Sequence, residues 1–177
     1  MSYRRWIAAA AVLFCAGLAL GFAAPAPIES LLSGEVGTLR SLAGILAPFQ
    51  VFTCIFIFLK NTLAIYVSFF LSPLLCLVPI LALVLNGWLV AFISAPMIEQ
   101  GHLCTVLVSI LPHGIFEIPA FIMAEAAALS FGLAVMEALV KVSRRNVLGS
   151  TFRQGMKYML IATLLLIPAA IIETYVT

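Results

Sequence analysis

The sequence predicts an all-α, polytopic transmembrane helical bundle, with about five membrane-spanning helices plus a short re-entrant helix near 103–111. Three observations carry that prediction. Hydrophobic residues make up 64% of the 177 positions and charged residues 9%, against about 25% charged in an ordinary soluble domain. The apolar residues gather in runs of roughly 20, the length a helix needs to cross the hydrocarbon core. Clusters of Lys and Arg flank those runs, as cytoplasmic ends of membrane helices require. A chain with mean hydropathy +1.23 would expose adhesive patches in water, so its surroundings are a lipid bilayer and no nucleic-acid partner is expected. One integral membrane domain over 1–177 is the expected organisation. The runs lack period-two alternation, which argues against a transmembrane barrel.

The first span is expected over Trp6–Ala24, behind Arg4 and Arg5. Its charged start and Ala23-Ala24-Pro25 end mimic a secretory leader, but the expectation is a retained membrane helix. Gly17 and Gly21, four apart, would let another backbone approach closely. Pro25-Ala26-Pro27 ends the span, and Ile28–Ala47 reads as an amphipathic segment outside the membrane, in a loop carrying Glu29, Glu35 and Arg40.

The second span, Phe49–Leu71, holds Lys60-Asn61 near its middle. A central lysine costs about 2.5–3.5 kcal/mol on insertion scales. It must snorkel, sit at a shifted span boundary, or meet a carboxylate within the bundle. Ser72-Pro73 makes a turn or kink, and the third span, Leu74–Ala95, contains Asn86. A mid-span amide either joins helices by hydrogen bonding or lines a polar path.

Glu99–His102 is polar, and Leu103–Leu111 before Pro112 is too short to cross, hence the re-entrant expectation. Pro112 suits the first position of a helix, placing His113 and Glu117 in the opening turns of a fourth span, Ile115–Ala138. At i,i+4 spacing these two can meet. Ala120, Ala124, Ala128 and Gly132 recur every four residues, a seam for close helix contact. Ala120 and Ala124 lie within about 20° of His113 around the helix and Glu117 about 40° away, so polar pair and seam share a face. The fifth span, Tyr158–Val176, carries Glu173 near its outer end, level with the start of the fourth.

Orientation follows from charge. Lys141, Arg144, Arg145, Arg153 and Lys157 have no acidic residue among them. The N-terminus and the 141–157 loop are therefore expected in the cytoplasm and the C-terminus outside, in the cell membrane. The loop could also bind anionic headgroups.

The polar centre expected from these residues is His113, Glu117 and Glu173, with Asn61, Asn86 and Lys60. It serves as a helix-locking network, a proton- or cation-handling site, or a metal site. The His-Glu-x-x-His signature of zinc proteases is absent, as is any Gly-x-Ser-x-Gly elbow, so no metal, cofactor or catalytic residue is expected. Cys15, Cys54, Cys76 and Cys104 lack Cys-x-x-Cys spacing and are expected to be free thiols, most of them buried.

Lys60-Asn61, Asn86-Gly87, the block Pro112-His113-Gly114-Ile115-Phe116-Glu117-Ile118-Pro119-Ala120 and Ala169-Ala170-Ile171-Ile172-Glu173 resemble the stage II sporulation protein M family of polytopic membrane proteins. The resemblance spans most of the chain, and the His-Gly-Ile-Phe-Glu block is its most specific part. It implies a membrane anchor or assembly factor without a settled chemical activity. It also implies that Asn61, Asn86, His113, Gly114, Glu117 and Glu173 hold the family's characteristic polar positions. Sporulation itself does not transfer, because relatives occur in organisms that do not sporulate.

The expected function is a non-enzymatic membrane scaffold or assembly partner. It would form a homodimer or higher homo-oligomer through small-residue seams and take a membrane or cell-envelope protein as partner. The alternative is a channel-like or transporter dimer moving protons, a cation or a small solute through His113, Glu117 and Glu173.

Overall fold

A computed structural model describes residues 3–23, 51–141 and 145–175, without the side chains of 105, 109–113 and 145. The amphipathic segment expected at Ile28–Ala47, with Glu29, Glu35 and Arg40, lies outside the described residues, as does Arg144. The described residues form five helices: α1 (Tyr3–Phe22), α2 (Val51–Leu71), α3 (Leu77–Glu99), α4 (Leu103–Val140) and α5 (Arg145–Tyr175). All five contain stretches long and apolar enough to cross a membrane. The chain is thus a multi-pass helical membrane protein.

Two boundaries differ from expectation. Residues 103–111 are not a separate re-entrant helix; they are the first turns of α4, which runs unbroken for 38 residues, about 57 Å at 1.5 Å per residue. The chain stays helical through Pro112 and Pro119. Membrane helices tolerate prolines where neighbouring groups satisfy the freed backbone, so proline is a weaker stop signal here than in water. The basic 141–157 segment is largely helix rather than loop, because α5 begins at Arg145. Arg, Lys, Gln and Met are strong helix formers, and their polarity is no obstacle to helix where the helix leaves the lipid.

Packing explains the order. α1 and α3 run parallel: Gly17 faces Val84 and Gly21 faces Trp88, while Gly87 faces Phe14. At all three glycines a Cβ would sit closer than 3.0 Å to backbone of the facing helix, so the backbones themselves touch. α4 is central. Five consecutive residues, Ala124 to Ala128, are each at most 1% exposed, so this helix is covered all round. Ala120, Ala124, Ala127 and Ala128 pack against Ile65 and Phe69 of α2 and Met159, Ala162 and Leu166 of α5. Ala126 and Leu129 join a second core with Ala10 and Phe14 of α1 and Leu83 of α3.

The turn from α2 to α3 is tight. Leu75 and Cys76 both take left-handed φ angles, 54° and 56°, each a cost for a non-glycine residue. Ser72 donates its hydroxyl to Phe69 O, and its own carbonyl sits where only Gly132 of α4 leaves room. Cys76 alone among the four free cysteines is buried, and Cys15 and Cys104 are exposed. Burial pushes the Cys76 thiol above its ordinary pKa, which makes it inert.

The Tyr3 ring stacks on Tyr158 with centroids 3.4 Å apart, and its hydroxyl donates to Met123 O at 2.7 Å. Arg4 and Arg5 therefore sit at the same end of the bundle as Arg153 and Lys157. Ala124, fully buried between α2 and α5, gives the first prediction. Ala124→Leu overfills the seam and should lower stability by about 1–3 kcal/mol, read as an earlier thermal unfolding transition in detergent.

Candidate functional site

α2 and α3 diverge instead of packing along their length, and the gap between them is where the polar side chains gather. Lys60 is the tenth of 21 residues in α2 and Asn86 the tenth of 23 in α3. Both are therefore halfway along spanning helices. On each helix the exposed apolar residues mark the outer face: Leu59, Leu63 and Val67 on α2, Leu85, Leu89 and Ile93 on α3. At 100° per residue, Lys60 and Asn86 each fall at the edge of that face, where it turns inward toward the other helix.

Behind them, Asn61 Nδ2 donates to Glu117 Oε1 at 3.1 Å. Asn86 Nδ2 donates to Ala82 O one turn back in its own helix, at 2.8 Å. Lys60, Asn61, Asn86 and Glu117 together line a cavity of about 230 Å³, lined also by Phe14, Phe121 and Leu166. At about 30 Å³ per water that is room for roughly seven waters, a small solute or one inserted side chain. Gly114, buried in α4, also lines it. The result is a notch whose mouth, Lys60 and Asn86, is exposed on the flank of the bundle and whose floor is a hydrogen-bonded amide and carboxylate.

The position of Lys60 is unusual. About 15 Å of helix separates it from either end of α2, farther than its four-carbon stem reaches. A cation facing acyl chains at this depth costs about 2.5–3.5 kcal/mol. Either the notch holds water or something polar covers it.

Of the residues expected in the polar centre, Lys60, Asn61, Asn86 and Glu117 share this notch. The side chain of His113 lies outside those described. Glu173 is not among the cavity's lining; the α5 residue there is Leu166, seven positions earlier, or about 10 Å along the helix. Among the described residues no group of three or more His, Cys, Asp or Glu side chains could hold a metal ion.

A second polar rung lies two turns further along the same two helices. Ser68 donates its hydroxyl to Glu125 Oε2 at 2.5 Å, and Glu125 is 1% exposed. Its Oε1 and the Thr62 hydroxyl are buried without a partner among the described residues. The rungs Asn61–Glu117 and Ser68–Glu125 show that α2 and α4 run parallel. The steps from 61 to 68 and from 117 to 125 are near two turns on both helices, which is the sequence signal that could have linked the pairs.

A family model described as Stage II sporulation protein M matches residues 10–177. No curated protein and no solved structure matches the chain.

Proposed function

From the premise that the chain belongs to the stage II sporulation protein M family, we propose that it is a non-enzymatic membrane assembly partner that docks another membrane protein against the α2/α3 flank. One observation carries this reading: an exposed lysine and an exposed asparagine face sideways at mid-helix, where lipid alone would be a poor solvent for them. A docked polypeptide would replace lipid at that spot. The Arg4–Arg5 and Arg153–Lys157 end faces the cytoplasm in this reading, by the positive-inside rule, and the C-terminal end of α5 faces outside. Gly17, Gly21, Ala120, Ala124, Ala128 and Gly132 are occupied by contacts within the bundle, so self-association would have to use other surfaces than the small-residue seams.

A second reading is favoured by the cavity itself. An ammonium, a carboxylate and two amides around about 230 Å³ would suit a small polar solute, and transport of such a solute is the rival function.

The experiment that separates them has two arms. A photo-crosslinking residue in place of Leu89, which is exposed on α3 beside the notch, should form a discrete adduct with a different membrane protein in cells. Purified protein in liposomes should show no solute or ion flux that Glu117→Gln abolishes. Glu117-dependent flux with no adduct at position 89 would replace assembly by transport.

A further inference from the structure

Resting on the assembly reading, we infer that the notch receives the carboxylate of an acidic residue placed midway along a transmembrane helix of a different protein. Three observations lead there. The first is charge. Lys60 presents an exposed ammonium at the mouth, while Glu117 on the floor already accepts from Asn61. The complement of an outward-facing ammonium with an amide beside it is an oxyanion, and Asn86 on the facing rim has a second Nδ2 hydrogen, beyond the one given to Ala82 O, to donate to it.

The second observation is the surround. Along both rims the exposed neighbours are apolar, Leu59 and Leu63 on one side and Leu85 and Leu89 on the other. A free anion brings nothing to cover them. An apolar helix with a single acid among its side chains covers the rails and fills the notch together, and the cavity of about 230 Å³ admits a side chain but not a helix.

The third observation concerns the donor. Among the described residues, the exposed carboxylates are Glu99, the last residue of α3, and Glu137, one turn from the end of α4. Neither lies midway along its helix as Lys60 does, so no exposed carboxylate among the described residues matches the position of Lys60, and an acid on another protein's helix fits it better.

The test uses the full chain in liposomes and synthetic Leu/Ala transmembrane peptides that carry Glu, Gln, Leu or Lys at their centre, with association read by energy transfer. The wild-type protein should bind the Glu peptide at least tenfold more tightly than the Gln or Leu peptide. Lys60→Met should erase that preference, and Lys60→Glu should transfer it to the Lys peptide. Lys60 is exposed, and Lys60→Met should unfold at or above the wild-type temperature, which separates lost binding from lost structure. Equal binding of the Glu, Gln and Leu peptides would overturn the inference, as would a preference that survives Lys60→Met. Millimolar glycine or acetate quenching Lys60-dependent binding of a solute probe, with no peptide preference, would overturn it in favour of a solute site. Loss of the peptide preference with an adduct still formed at position 89 overturns this inference and leaves the assembly reading standing, whereas loss of the adduct with the peptide preference intact counts against the assembly reading alone.

Discussion

Gly87→Leu should abolish the folded bundle. A Cβ at Gly87 would fall within 3.0 Å of the Phe14 carbonyl and close on Leu18 N, so the obstacle is backbone on α1 and no side-chain rotation relieves it. Gly17 and Gly21 meet the reciprocal condition against Val84 and Trp88. The α1/α3 pair has to separate, which exposes Phe14 and Leu83 of the second core. Overpacking alone costs about 1–3 kcal/mol, and parting two spanning helices adds the loss of their whole contact. Purified Gly87→Leu should show no cooperative unfolding transition, or one far below wild type. Gly149→Leu is the control: a Cβ there meets nothing within 4 Å, and that variant should melt with the wild type.

Glu125→Ala should have the next largest effect, and Glu125→Gln a much smaller one. The carboxyl is buried at the α2/α4 contact and takes the Ser68 hydroxyl at 2.5 Å. Alanine leaves that hydroxyl with no acceptor from α4, at about 1–3 kcal/mol for a buried unsatisfied group, and opens a cavity in addition. Glutamine keeps both the volume and an oxygen for Ser68. Thermal unfolding in detergent should rank wild type close to Glu125→Gln, with Glu125→Ala well below both. Equal melting of the Gln and Ala variants would show that the Ser68 contact carries no stability.

The spanning helices were legible because their cause is local: a run of apolar side chains long enough to cross lipid is visible in one pass. Gly17 and Gly21 signalled a close approach, but the facing glycine, Gly87, lies 70 positions from Gly17, and nothing at short range ties them. Lys60, Asn61, Asn86 and Glu117 stood out as polar residues in oil. Their convergence depends on α2 running parallel to α4 while diverging from α3, which is tertiary information. A helix starting at Pro112 would put Glu173 level with Glu117, but α4 begins at Leu103, so its start does not mark that level. Pro112 and the basic run at 141–157 misled for one shared reason. Both are breakers or solvating segments by the habits of soluble proteins, and Pro112 and residues 145–157 are helical here.

A polar notch opens sideways at mid-helix between α2 and α3. Ala64 lines it and Leu63 faces outward beside it, one residue and about 100° away. Spin labels placed singly at 63 and 64, with Cys15, Cys54, Cys76 and Cys104 replaced, can be compared in liposomes using oxygen and a water-soluble nickel relaxant. The label at 64 should be relaxed markedly more by nickel than the label at 63, which should respond mainly to oxygen. Identical, oxygen-dominated responses at both positions would mean that the flank between α2 and α3 is plain lipid-facing surface, and the notch would be no site at all.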